Sequence, residues 1–100
     1  MKAVCVIPAR MAASRFPGKP LKKLLGLEMI SHIDRRCRAF RGFHQVVVAT
    51  CDKEIAEVVE RDGGIAIMTA ATHDRCTDRV TEAVAKLNFA LAPDDLVLMV

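Results

Sequence analysis

Residues 8–20 read Pro-Ala-Arg-Met-Ala-Ala-Ser-Arg-Phe-Pro-Gly-Lys-Pro and hold three cations, Arg10, Arg15 and Lys19, within ten residues. A guanidinium grips phosphate oxygens as a bidentate fork, and an ammonium acts as a compact point charge on a polyphosphate. Gly18 lets backbone approach a ligand closely, and the two prolines around it stiffen the segment. The small residues Ala12, Ala13 and Ser14 leave room beside it. An anion site fits these residues, and a surface loop that happens to be basic is the alternative. The segment is neither a G-x-x-x-x-G-K-[ST] phosphate loop nor a G-x-G-x-x-G dinucleotide fingerprint.

The elements that must position this segment are legible as apolar runs. Ala3–Ile7, Val46–Ala49, Ile65–Met68 and Leu96–Val100 are continuous rather than alternating, the pattern of parallel strands buried on both faces. Between them, Ile30, Ile33, Cys37 and Phe40, then Ile55, Val58 and Val59, then Val80, Ala83, Val84 and Leu87 recur at helical spacing. Asp52 and Thr77 stand where N-caps of the second and third helices belong, and Gly63-Gly64 ends the second helix. The order β-α-β-α-β-α-β predicts an α/β fold, a parallel sheet with helices on both faces. Residues 9–28 and 69–76 are the long irregular stretches. Both follow the carboxyl end of a strand, where open α/β sheets place ligands.

Composition bounds the class. One hundred residues, 52% hydrophobic and 27% charged, predict one small globular unit rather than a disordered or fibrous chain. No apolar run reaches the roughly 18 residues of a membrane span, and the start lacks a signal-peptide core. Cys5, Cys37, Cys51 and Cys76 form no C-x-x-C pair, which predicts reduced thiols in the cytoplasm. The net charge of +3 is divided unevenly. Residues 1–44 carry ten Lys and Arg against two acids, and residues 45–100 carry five against ten. A basic first half favours an anionic partner, nucleotide phosphates or nucleic acid. Arg35, Arg36, Arg38 and Arg41 read as a solvated helix face. The lack of Tyr and Trp weighs against a nucleic-acid module, which stacks bases on aromatic rings. His32, His44 and His73 share no metal-ligand spacing. Met11, Met29, Met68 and Met99 read as core or rim packing.

The run Ile7-Pro-Ala-Arg-Met-Ala-Ala-Ser-Arg-Phe-Pro-Gly-Lys-Pro-Leu21 closely resembles the opening signature of the 3-deoxy-manno-octulosonate (Kdo) cytidylyltransferases. The similarity continues through Met29-Ile30, Val48–Asp52, Gly63-Gly64, Met68-Thr69 and Thr77–Val80. Sialic acid cytidylyltransferases share the I-P-A-R opening but continue it differently. The resemblance implies a three-layer α/β/α, Rossmann-like nucleotide-diphospho-sugar transferase fold, here about its first half, so that 1–100 is an incomplete nucleotide-binding portion. It implies transfer of CMP from CTP to an acidic ulosonic sugar with release of pyrophosphate, for cell-surface polysaccharide or lipopolysaccharide synthesis. A sialic-acid-like acceptor, or an orphan fragment without function, are the alternatives.

The implied site residues are Arg10, Arg15 and Lys19 on the triphosphate, with Arg10 and Lys19 catalytic, and backbone around Pro8 and Ala9 near the base. Thr77 and Asp78 match the family's T-[DE]-R stretch along with Arg79, whereas Arg75 and Cys76 replace its Ser and Gly. Thr77 and Asp78 are equally an ordinary helix start. Asp52 matches a position near the nucleotide pocket, although its cap role alone explains it. Mg²⁺ is implied as cofactor, with ligands expected beyond residue 100 in a Q-G-D-E-P segment, and the longer form is implied to be a homodimer. CTP and an acidic sugar are the implied partners, with no nucleic acid and no membrane. The chain alone is expected to be inactive.

Overall fold

The computed structural model describes residues 2–11, 19–70, 76–87 and 91–100. In chain order these form β1 (Ala3–Ala9), a 3-10 turn (Lys19–Leu21), β2 (Lys23–Leu24), β3 (Leu27–Glu28), α1 (Met29–Ala39), β4 (Gln45–Thr50), α2 (Lys53–Arg61), β5 (Ala66–Met68), α3 (Cys76–Ala85) and β6 (Leu96–Met99). The four apolar runs become one sheet, ordered β5-β4-β1-β6, in which every neighbouring pair is parallel. β1 lies between β4 and β6, opposite Gln45–Thr50 on one edge and Leu96–Met99 on the other.

Alternation along β1 and β4 explains why both strands are apolar throughout. Cys5, Ile7, Val46 and Val48 face α1 and α2, where Ile30, Ile55 and Val59 close the layer. Val4, Val6, Val47 and Ala49 face the other way, against Val80 and Ala83 of α3. Each fully buried aliphatic side chain contributes roughly 1.5–3 kcal/mol, so two apolar layers around two strands hold the three-layer α/β/α arrangement. Among the described residues β6 is only partly covered, Val97 and Met99 lining a cavity with Val80 and Val84 of α3. Leu96, Val97, Leu98, Met99 and Val100 are all 38–59% exposed, and Met68 at the end of β5 is 43% exposed. Met68 and Met99 are therefore rim residues rather than core.

Several local readings need correction. The stretch 9–28 is not irregular throughout, because β2 and β3 form a two-stranded antiparallel hairpin. Its turn residues Leu25 and Gly26 have φ of 55° and 80°, the left-handed pair that matches hairpin twist. Glu28 Oε2 accepts from Arg61 Nη2 at 2.8 Å, tying the hairpin to α2. α3 begins at Cys76, so Thr77 lies inside its first turn and is not the N-cap. Asp52 occupies the N-cap position of α2, but its side chain makes no capping bond.

The basic face of α1 is not simply solvated. Arg35 pairs with Asp62, and Arg38 reaches Asp34 Oδ2 at 2.9 Å and Asp62 Oδ2 at 3.1 Å. These contacts join α1 to the end of α2. Gly63, at φ 85°, turns the chain there, and Gly64 N–H donates to Val59 O at 2.9 Å. A Cβ on Gly64 would run into the Asp34 carboxylate and lie 2.9 Å from Val59 Cγ1. The two helices are thus drawn together at a place where only a glycine fits.

Candidate functional site

Because all four strands are parallel, the ends of β1, β4 and β5 open on one edge of the sheet, with Ala9 opposite Thr50 and Thr50 opposite Met68. A helix that links parallel strands runs back against them, so the first turn of α3 lies on the same edge. After β5 the chain crosses to the far side of β1 to form β6, which makes the end of β1 a topological switch point. Open α/β sheets bind ligands at such points. Pro8 and Ala9, expected near a nucleotide base, are half-buried at the carboxyl end of β1.

Arg10 follows directly. It is half-buried and takes no part in the ion pairs among the described residues. The next residue is anchored from a distance, because Met11 N–H donates to Asp52 Oδ2 at 2.7 Å. Asp52 is itself fixed by its own N–H, which donates to the buried Thr50 Oγ1 at 3.1 Å, and Cys51 Sγ lies 3.7 Å from the same carboxylate oxygen. The carboxylate that resembles a helix cap is therefore spent on holding the start of the basic segment over the end of β4. No local sequence signal reports this bond, which spans 41 residues.

The remaining expected residues divide by what the structure describes. Arg15 lies outside the described residues, as does Arg75. Lys19 opens the 3-10 turn and Thr77 lies in the first turn of α3, and their side chains are outside the described set. Asp78 is exposed in that first turn, where a negative charge suits the positive end of the helix dipole. The structure thus brings Pro8, Ala9, Arg10 and Asp78 to one edge of the sheet.

Two further groups there lie in stretches that matched the family, although neither was assigned a role. Thr69, just past β5, is 7% exposed, and Arg79 in the first turn of α3 is 3% exposed. Thr69 Oγ1 and Arg79 Nη1 are both buried without a hydrogen-bond partner among the described residues. Burial, not residue type, is the signal that finds them.

Other titratable groups lie away from this edge. Burial, with Cys37 and Asp34 nearby, pushes the Cys5 thiol up to about 12, which makes it a poor nucleophile. Burial also raises the Asp34 carboxyl, against the opposing pull of Arg38. Among the described residues no three His, Cys, Asp or Glu side chains converge as a metal site.

Known proteins resemble this chain closely. A family profile described as "Cytidylyltransferase" matches residues 4–100. The 3-deoxy-manno-octulosonate cytidylyltransferase of Bradyrhizobium diazoefficiens is 51% identical over 87 residues, which cover 87% of this chain and 35% of that protein. The same-named protein of Syntrophus aciditrophicus is 48% identical over 99 residues, 99% of this chain and 39% of the relative. The 8-amino-3,8-dideoxy-manno-octulosonate cytidylyltransferase of Shewanella amazonensis is 43% identical over 98 residues. A solved structure of CMP:2-keto-3-deoxy-manno-octonic acid synthetase complexed with CTP superposes with a TM-score of 0.86 at 41% identity, covering 99% of this chain and 40% of that one. The chain spans 35–40% of the length of these relatives.

Proposed function

The chain belongs to the cytidylyltransferase family, and from that premise we propose that it is the CTP-binding portion of an enzyme that transfers CMP to an acidic eight-carbon sugar. In the reaction, a sugar hydroxyl oxygen forms a bond to the α-phosphorus of CTP. The bond from that phosphorus to pyrophosphate breaks, and the hydroxyl proton is released. Negative charge gathers on the leaving pyrophosphate, and preorganised cations are what stabilise it. Arg10, Arg15 and Lys19 are the groups assigned to that role, with Arg10 and Lys19 the catalytic pair. Pro8 and Ala9 supply backbone beside the base, and Thr77 and Asp78 border the same edge.

The observation that carries this reading is the clamp from Asp52 to Met11, 2.7 Å long, which fixes backbone next to Arg10 at the open end of β1. A basic loop without a binding role needs no half-buried anchor 41 residues away. The reaction class implies Mg²⁺, which polarises phosphoryl oxygens. The described residues offer no ligand set for it, so no step here passes through the metal, and its ligands are proposed to lie outside residues 1–100. The relatives' names contain both a hydroxylated and an 8-amino form of the sugar, and the acceptor is proposed as this class of 3-deoxy-octulosonate. A homodimeric, cytoplasmic enzyme is the setting proposed for the longer protein.

Calorimetric titration of CTP into the 100-residue chain tests the reading. Saturable binding that weakens at least tenfold in Lys19→Ala, with an unchanged circular dichroism spectrum, is the expected result. Absence of any CTP or tripolyphosphate binding by the unsubstituted chain would overturn it.

A further inference from the structure

We propose that Cys5 and Cys37 form an oxidisable pair, a modification site at which a hydroperoxide closes a disulfide between β1 and α1, with Asp34 as the proton acceptor. Placement comes first. Cys5 lies in the apolar layer between β1 and α1 and is fully buried, and Cys37 packs against the same layer from the last turn of α1. Ile30, Ile33 and Cys37 form one stripe of that helix, at i, i+3 and i+7. Both cysteines are free thiols. They are close enough that Cys37 acts on the Cys5 thiol through charge and hydrogen bonding. Cys37 is half-buried and within reach of a small oxidant, whereas Cys5, at 0% exposure, is closed to solvent.

Burial, then Cys37 and then the charge of Asp34 push the Cys5 thiol up to about 12, so it becomes a nucleophile only where an adjacent base takes its proton. Asp34 supplies that base. It stands three residues before Cys37 on α1, on the same side of the helix, and is 0% exposed. Its Oδ2 accepts from Arg38 Nε at 2.9 Å, while Oδ1 is buried without a hydrogen-bond partner among the described residues. An oxygen buried unpaired is costly, and a thiol proton gives it a partner. Burial also raises the Asp34 carboxyl, which brings its proton affinity nearer to that of the thiol. In the first step the Cys37 sulfur attacks a peroxide oxygen, the O–O bond breaks, and the thiol proton leaves with the alcohol. Cys37 is then a sulfenic acid. In the second step Cys5 passes its proton to Asp34 Oδ1 and its sulfur attacks the Cys37 sulfur. The S–O bond breaks, and the departing hydroxide takes the proton from Asp34 and leaves as water. Two thiols and one peroxide thus give one disulfide, one alcohol and one water, and the thiols lose two electrons to the peroxide. The bond staples α1 to the strand that leads into Arg10, and small thiols reverse it.

Treatment of the chain with hydrogen peroxide, followed by acid quenching, alkylation and tryptic mass mapping, tests the pair. Cleavage after Lys2, Arg10, Arg36 and Arg38 places Cys5 in peptide 3–10 and Cys37 in peptide 37–38. The expected product is these two peptides linked, two hydrogens lighter than the free pair, as the main disulfide of the native chain. In urea the preference should vanish. In Cys37→Ser the buried Cys5 should remain an unmodified thiol under the same treatment. Asp34→Asn keeps the side-chain shape but cannot take the proton, so closure should slow by at least about tenfold. Dimedone should then trap a Cys37 sulfenic acid that the unsubstituted chain does not accumulate. Cys37 carried to sulfinic acid while Cys5 stays a thiol, or a native product dominated by Cys51 or Cys76, overturns the pair. Equal yield of the 3–10 to 37–38 link in native and urea-unfolded chains overturns it too, because the fold then does nothing to select it. Oxidation of Cys5 in Cys37→Ser at the rate of the unsubstituted chain overturns entry through Cys37, and closure at an unchanged rate in Asp34→Asn overturns the role of the carboxylate.

Discussion

Asp52→Ala is the substitution that most directly probes how the basic segment is held. The wild-type carboxylate accepts from Met11 N–H at 2.7 Å in a half-buried setting. A charge-assisted bond of this kind contributes about 1.5–3 kcal/mol, and its loss leaves the amide unpaired. For a domain of this size each kcal/mol moves the melting temperature by about 4–8 °C. A loss near 2 kcal/mol therefore lowers the midpoint by about 8–16 °C, read by thermal melts at 222 nm. Two further variants separate the clamp from a helix cap. Asp52→Asn keeps an acceptor oxygen at the same reach and should recover at least half of the loss. Asp52→Ser is as good a cap in general but too short to reach Met11, and should behave like Ala. Rescue by Ser as complete as that by Asn would show that capping, not the clamp, is what Asp52 contributes. A melting point unchanged in Asp52→Ala would refute the bond altogether. Because Met11 adjoins Arg10, freeing it adds backbone entropy that CTP must remove on binding. At about 1–2 kcal/mol per residue, CTP affinity should fall about five- to thirtyfold in the same variant.

The Asp62 carboxylate, held below the ordinary carboxylate range chiefly by its hydrogen bonds from Arg35, stabilises the fold above that range, and the contribution is lost as pH falls through it. Asp62→Asn should therefore be less stable than wild type in urea at pH 6, with the gap narrowing at pH 3. A gap of equal size at both pH values would contradict the pairing. Gly64→Ala drives a methyl against Asp34 and Val59, an overpacking that costs about 1–3 kcal/mol. With a urea slope of about 1 kcal/mol/M, the midpoint should drop by about 1–3 M, and an unchanged midpoint would mean that α1 and α2 do not meet there in solution.

The sheet and its three long helices were legible because β1 and β4 are sandwiched on both faces, so their apolar runs are uninterrupted, and each helix buries one stripe. The hairpin β2–β3 escaped because its strands have two residues each and Leu25 adopts a left-handed φ that sequence rules reserve for Gly, Asn and Asp. The partners of Asp52 and of the exposed Arg35 were missed for one shared reason. A carboxylate ahead of a helix resembles a cap and a row of arginines resembles a wet surface, while their partners Met11 and Asp62 are 41 and 27 residues away. For the site, the basic run after β1 was readable as charge and spacing. Thr69 and Arg79 lay in matching stretches, but their burial without a partner among the described residues is something no pattern of residue types encodes.

β1 has no neighbour that is close in the chain. It pairs with β4 from Gln45 onward on one edge and with β6 from Leu96 onward on the other, and Lys2 N–H just before it donates to Asp95 Oδ1 at 2.7 Å. The loop closed by β6 is about twice as long as that closed by β4, yet each doubling costs only about 0.6 kcal/mol. The heavier burden is kinetic, since pairing of high contact order forms slowly. β1 is thus stitched in from both sides only after most of the chain has been gathered, and its amides should exchange with solvent only through global opening. Arg10 sits one residue beyond that strand, so its placement reports on the gathering of strands drawn from residue 3 to residue 99.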